Sequence, residues 1–466
     1  MWKFEEMAGL FADMERSRLL RKGTWGLEKE SQRVTVTGDL AMTDHPFGDK
    51  MSNPDITTDF AESQLEMITP ALPSIEEAYA YLHRIHDEIE SGIGDELLWP
   101  LSMPPRLPAE EQIRIAEFNG TPEGRAKESY RQRLAERYGK KMQMISGLHY
   151  NFSFHEDLFH FLAGRLGYEA DKRALTDNLY FAMARNLLRY RWLLIYLFGA
   201  SPSADSTYDS VIARELAIID RCCPACCGKV GDYERYATSL RVSRFGYSSA
   251  TQRKHTVSFN GLNEYIGDFK RLLTQGVLQK ESEFYSSVRI KQLVRRDQSQ
   301  LDALERKGVG YVELRIMDLN PYERAGISLQ QLRFLHVFML YCLFEQSPPI
   351  TKREWRLIQD NHHIVSLFGR KPNLHLHLYQ GGKVMLSEWI EEMMGKMSRI
   401  AELLDQHGGG AVFQAAVNQE RAKGRNVRLL LSSLIRQEMQ VNDETLLDFG
   451  IRQALRHKQR YLAVRV

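Results

Sequence analysis

Residues 146–154 read SGLHYNFSF. The stretch alternates strictly, with Leu148, Tyr150, Phe152 and Phe154 on one side and His149, Asn151 and Ser153 on the other. Side chains of a strand point alternately to the two faces of its sheet, so this is a strand with one apolar and one polar face. Residues 311–319, YVELRIMDL, do the same: Val312, Leu314 and Ile316 lie opposite Glu313, Arg315 and Met317. In GTWGLEKESQRVTV (23–36) Glu28 and Glu30 stand two apart and so share a face. SQLEMITP (63–70) adds a strand with Gln64, Glu66 and Ile68 on one side, and HTVSFNGL (255–262) reads as another.

Helices outnumber these strands. SIEEAYAYLHRIHDEIE opens with Ser74 and Glu77 at capping-box spacing and continues with apolar residues at helical period. TDNLYFAMARNLLRYRWLLIYLF, SLQQLRFLHVFMLYCLFEQ, LSEWIEEMMGKMSRIAELLDQHG and NVRLLLSSLIRQEMQ also read as helices, and the N-terminal MWKFEEMAGLFADMERSRLLRKG as one amphipathic helix. Strands and helices do not follow a βαβ rhythm with glycine-rich turns. That favours an α+β fold with an antiparallel or mixed sheet, helices behind its apolar face and an open cleft on its polar face.

Composition narrows the function. Formal net charge is +2, from 62 Lys+Arg against 60 Asp+Glu, which lacks the basic excess of a nucleic-acid binder. The most apolar helix carries Arg185, Arg189 and Arg191, so it reads as a core helix and not a membrane span. The N-terminus lacks the apolar stretch of a signal peptide, and five cysteines make an odd count; both point to the reducing cytoplasm.

The polar strand faces gather Glu28, Glu30, Glu66, His149 and Glu313, with Asp59 close by in TTDFAESQLEMITP (57–70). So many converging acids repel one another, and a divalent cation with hard oxygen ligands relieves that. Arg315 shares the face and can grip a phosphate or carboxylate in bidentate fashion. A solvent face is also ordinarily polar, so the residues alone leave open whether a cation or only water stands there. Glu62 reads as a surface residue of a helix or turn. GxxxxGK[ST], GxGxxG after a strand and HExxH are absent.

GLEKESQRV, ITTDFAESQLEMITP, LLWPLSMPP, MISGLHYNFSF, ATSLRVSRFGY, YVELRIMDLNPY and GRKP occur here in the order and at the distances found in the bacterial glutamate–cysteine ligases. The chain closely resembles that family, and the N-terminal half of the fused enzymes that make glutathione in two steps, from about residue 20 to about residue 375. The resemblance implies a glutamine-synthetase-like fold, a curved antiparallel sheet with the active site in its concave face. It implies Mg²⁺, or Mn²⁺, at Glu28, Glu30, Asp59, Glu66, His149 and Glu313. Asp59 and Glu66 differ in parity, which requires a bend near Phe60–Glu62.

The reaction implied is ATP-dependent: the γ-carboxylate of L-glutamate takes the γ-phosphoryl group, and the amine of L-cysteine displaces phosphate. Arg315 and Arg241 resemble the family's catalytic arginines, and Gln143 and Asn151 its groups near ATP. Phe60, Tyr130, Arg131, Tyr247 and Tyr285 resemble its cysteine-binding side. The loop RVSRFGYSSAT (241–251) departs from the family pattern around Tyr247, with Arg244 before it and Ser248, Ser249 and Ala250 after it, which motivates a second reading, a γ-glutamyl ligase with another amine acceptor. The expectation is one catalytic domain over residues 1–466, with no ATP-grasp domain and no nucleic-acid or membrane partner. Either a separate glutathione synthetase would then act downstream, or γ-glutamylcysteine would itself be the end product.

Three other features carry less. CCPACC (222–227) is cramped for a zinc site and reads as a reduced or redox-sensitive loop. His375 and His377 share a strand face without a third ligand. The basic tail LRHKQRYLAVRV reads as a solvated helix ending in a short strand.

Overall fold

The alternating segments pair into one antiparallel sheet. In the computed structural model, which describes residues 3–168, 170–222, 233–246, 255–294, 298–407 and 410–464, the strands are β1 (Gly23–Val34), β2 (Ile56–Thr58), β3 (Gln64–Ile68), β4 (Leu97–Leu98), β5 (Leu148–Phe154), β6 (Val288–Lys291) and β7 (Tyr311–Met317). Their order is β2-β3-β1-β5-β7-β6, with β4 paired to β1. A separate hairpin joins β8 (His375–His377) to β9 (Lys383–Met385).

Register follows the alternation read from sequence. Leu27 faces Tyr150, Trp25 faces Phe152, and Tyr150 faces Leu314, all on one side. That apolar side is covered by the Ile75–Gly92 and Lys172–Phe198 helices, and the Leu329–Phe344 helix packs in turn on these. Ser74 caps the first of them, its hydroxyl accepting from Glu77 N at 3.1 Å. In the second, Arg185, Arg189 and Arg191 are buried and still bonded: Arg189 pairs with Glu354 at 2.6 Å, and Arg191 donates to Ser287 Oγ at 2.6 Å. Among the described residues no helix is long and apolar enough to cross a membrane.

Four expectations change. Pairing between β5 and β7 shifts register between Leu148 and Tyr150, which face Met317 and Leu314. This bulge places an extra residue on β7, so parity breaks and Met317 turns into the core beside Leu148 instead of sharing the face of Glu313 and Arg315. Residues 255–261 form no strand: they pair with no strand among the described residues, Val257 and Phe259 are buried, and Phe259 O is taken by Arg185. The N-terminal segment is two short helices, Phe4–Leu10 and Met14–Ser17, because Asp13 caps the second by accepting from Arg16 N. The tail stays helical over Leu446–Val464, and Gly450 in it rests directly against the Trp99 ring.

Candidate active site

The polar face of the sheet is built by register. Glu28 on β1 lies opposite His149 on β5, Asn151 on β5 opposite Glu313 on β7, and Glu30 on β1 opposite Glu66 on β3. His149 Nδ1 is 3.0 Å from Glu28 Oε2 and 3.7 Å from Glu313 Oε1. Glu28, His149 and Glu313 each offer a donor atom within 4.8 Å of the others, the only such group among the described residues. Asn151 Nδ2 donates to Glu28 Oε1 at 2.8 Å.

Glu30 begins a second set. It lies 3.7 Å from His149 Nε2 and accepts from Gly147 N at 2.8 Å. Burial first, and then the Asp59 carboxylate, push its acid up to about 8. Glu66 is held well above the ordinary carboxylate range by burial, then by Asp59, Glu28 and Glu30. The bend required between Asp59 and Glu66 is present: β2 ends at Thr58 and β3 begins at Gln64. So the six expected ligands fall into a trio around His149 and an acidic trio of Glu30, Asp59 and Glu66 beside it.

Glu313 behaves oppositely. Burial would raise it, yet Arg315, then Lys291 and Arg289, hold it well below the usual range. Arg315 Nη1 donates to Glu313 Oε1, and Lys291 Nζ lies 3.6 Å from Glu313 Oε2. Arg315 lies within the bulged stretch; its backbone N donates to Ser287 O at 2.9 Å and its carbonyl accepts from Arg241 Nη2 at 3.1 Å. His149 stays neutral because burial and the nearby Arg315 depress it.

This donor set suits a divalent cation. Glu30 and Glu66 keep their protons through desolvation first and then through the neighbouring acids, a repulsion that a cation would relieve. Glu313 Oε2 is buried without a hydrogen-bond partner. The ligands are oxygens plus one imidazole, a combination Mg²⁺ and Mn²⁺ accept.

The remaining expected residues divide. Phe60 is buried next to the turn, with Tyr130 packed against the same apolar cluster. Arg131 is occupied by backbone: its guanidinium donates to the carbonyls of Thr58, Asp59 and Lys127 and lies over the Phe118 ring. Tyr285 donates to Gln143 Oε1 at 3.0 Å, which sets Gln143 beside the expected acceptor side. Tyr247, Ser248–Ala250 and most of the cysteine cluster lie outside the described residues. His375 is exposed on β8 opposite Met385, without a third metal donor among the described residues.

Sequence reading missed Lys291 and Arg289, although VRIK at 288–291 alternates; a four-residue edge strand is too short to stand out. It also misjudged Glu62. That residue is buried, accepts from His45 N at 2.9 Å and Glu117 N at 3.0 Å, and pairs with Lys50 at 2.6 Å.

A helix-backed antiparallel sheet with a carboxylate-lined polar face is the architecture of the glutamine-synthetase-like class, and comparison narrows it. The sequence profile described as glutamate-cysteine ligase matches residues 9–276 and 267–365. A glutamate–cysteine ligase of Clostridium acetobutylicum is 46% identical, covering 97% of this chain and 99% of its own. One from Pseudomonas putida is 37% identical over 95% of this chain and 87% of its own. The crystal structure of a Francisella tularensis glutamate–cysteine ligase in complex with AMP superposes with a TM-score of 0.82, at 30% identity, over 94% of this chain and 89% of that one. A bifunctional glutathione synthetase from Pasteurella multocida gives a TM-score of 0.78 at 29% identity, over 96% of this chain and 53% of that one. The chain belongs to the glutamate–cysteine ligase family.

Proposed function

We propose that this protein uses ATP to join the γ-carboxylate of L-glutamate to the amine of L-cysteine, giving γ-glutamylcysteine, ADP and phosphate. The observation that carries the reading is the Glu28–His149–Glu313 group beside Arg315, in a chain of this family. A carboxylate is a poor electrophile; transfer of the γ-phosphoryl group makes its oxygen a good leaving group, and the amine then displaces phosphate.

Glu28, Glu30, Asp59, Glu66, His149 and Glu313 would hold divalent cations, Mg²⁺ or Mn²⁺, whose charge offsets that of the phosphates. Arg315, kept charged by Glu313 and Glu30, presents a fixed fork to an anionic substrate group. Arg241, buried against the carbonyl of Arg315, is assigned the same task on the other side. Asn151 is assigned to the nucleotide through its place beside Glu28. Gln143 is assigned there too, although its bond to Tyr285 also brings it to the acceptor side. Phe60, Tyr130, Tyr247 and Tyr285 are assigned to the cysteine side, where a small aromatic pocket suits a thiol. Arg131 belongs to that side through the turn it supports. The chain acts as one catalytic domain in the cytoplasm, and a separate synthetase consumes the product.

ADP release with ATP, Mg²⁺ and L-glutamate, with and without L-cysteine, tests the reading, with the product identified by mass spectrometry. Cysteine-dependent release with a γ-glutamylcysteine product is the expected result. Release driven by another amine would replace the acceptor, and no turnover by folded protein would remove the reading.

A further inference from the structure

Gly147 precedes β5 and touches both halves of the site. Its N donates to Glu30 Oε2 at 2.8 Å, and its carbonyl accepts from Glu30 N at 3.0 Å. On its other side lies Arg241, 1% exposed. A Cβ built on Gly147 would sit 1.9 Å from Arg241 Nη2, 2.4 Å from Cζ and 2.6 Å from Nε. Three guanidinium atoms at such distances mean that the group fills the space a side chain at 147 would need. The backbone of Gly147 is outside the left-handed region, so conformation does not demand glycine there. Space does.

Arg241 cannot easily retreat. Its Nη2 donates to Arg315 O at 3.1 Å, and Nη1 lies 3.9 Å from Asp318 Oδ1. Asp318 is itself fixed, accepting from Ala200 N at 2.8 Å and Ser239 Oγ at 3.0 Å. The loop carrying Arg241 turns so tightly that a Cβ at Gly246 would meet Arg241 O at 1.8 Å. A side chain at 147 would therefore displace the guanidinium, Glu30, or both.

We infer that Gly147 is a positioning residue of the ligase site: its missing side chain sets the separation between the Glu30 carboxylate and the Arg241 guanidinium, and so the fit of the anionic substrate group held between a cation and an arginine. The inference rests on the proposed ligase reading for the identity of that anion. Gly147→Ala overpacks a contact that is already closed.

The test is a cycle of wild type, Gly147→Ala, Arg241→Lys and the double variant, measuring kcat/KM for L-glutamate and the thermal midpoint. In the wild-type background Gly147→Ala is expected to cost about 100-fold in kcat/KM, the scale of a misplacement of about 1 Å, and to lower Tm by about 5 °C. Lysine ends in a single nitrogen instead of the guanidinium that fills this space. Arg241→Lys loses the fork and with it most turnover, so that background is read by melting, where Gly147→Ala is expected to cost only about 1 °C. Equal costs in both backgrounds would show that the glycine serves its own backbone, and would overturn the inference. Should Gly147→Ala fail to fold alone, recovery of folding in the double variant supports the inference and continued unfolding overturns it. The Tm arm runs without turnover, so a wild type that ligates nothing removes the ligase reading and leaves the clash with Arg241 separately decided.

Discussion

Carboxylates of one chemical type behave differently on this sheet because their neighbours differ. Glu313 faces Arg315, Lys291 and Arg289 and stays ionised; Glu30 and Glu66 face other acids and keep protons. Glu313→Ala strips three cations of their shared partner and one donor from the trio. His149→Ala removes the imidazole that bridges Glu28 and Glu313. Each is expected to lower kcat by at least about 1,000-fold while thermal melting stays cooperative; near-normal turnover in both would sink the cation-site argument. Arg315→Lys is expected to fail as well, since a lysine keeps the charge and loses the fork. A kcat within a few-fold of wild type would assign Arg315 to structure. These residues were legible because strand alternation collects them on one face. Met317 was misread because one extra residue on β7 flips the parity beyond it, and no local signal marks a bulge.

The turn between β2 and β3 is the element on which the acidic trio depends. It carries Asp59, and it is held by the burial of Phe60 and Ala61 in an apolar cluster and by a buried charge pair. Glu62 binds Lys50 from the preceding loop and the backbone of Glu117 from the following one, and Lys50 Nζ also reaches Glu117 O at 2.6 Å. Both side chains are below a tenth exposed. Removing one partner of such a pair strands the other, so Glu62→Ala is expected to cost about 3 kcal/mol in urea unfolding. Adding Lys50→Met should return part of that loss; a double variant as unstable as the single would mean that the pair itself is not the source. The need for a bend was readable from the parity of Asp59 and Glu66. The role of Glu62 was not, because its partners lie 12 residues before it and 55 after it. Arg131 adds to the same element, so Arg131→Ala is expected to weaken Mg²⁺ binding by calorimetry more than it raises the KM for cysteine. The reverse order would return Arg131 to direct substrate contact.

Packing across the whole chain converges on a few buried imidazoles. His336, in the middle of the Leu329–Phe344 helix, donates from Nε2 to Leu20 O at 2.8 Å. Its ring meets Trp25 on β1, Phe152 on β5 and Phe413 from the Val412–Arg425 helix. It therefore reports on the N-terminal turn, the sheet and the C-terminal helices together. Burial depresses His336 to about 4, and His457 and His362 are depressed likewise. The unfolded value is about 6.5. A folded value below the unfolded one means that the unfolded chain binds the proton first. The contribution of neutral His336 is thus fully present above about pH 6.5 and is lost as pH falls toward 4. Raised acids such as Glu66 act in the opposite direction, so the pH profile of the wild type alone mixes the two. The difference between wild type and His336→Gln cancels the acids. It is expected to shrink by about 2 kcal/mol between pH 8 and pH 5, measured by urea unfolding at each pH. A difference that stays constant over that range would mean that His336 takes up its proton at the same pH in the fold as in the unfolded chain, and one that grows toward pH 5 would mean that Leu20 O holds an imidazolium at the junction of the sheet and its helices.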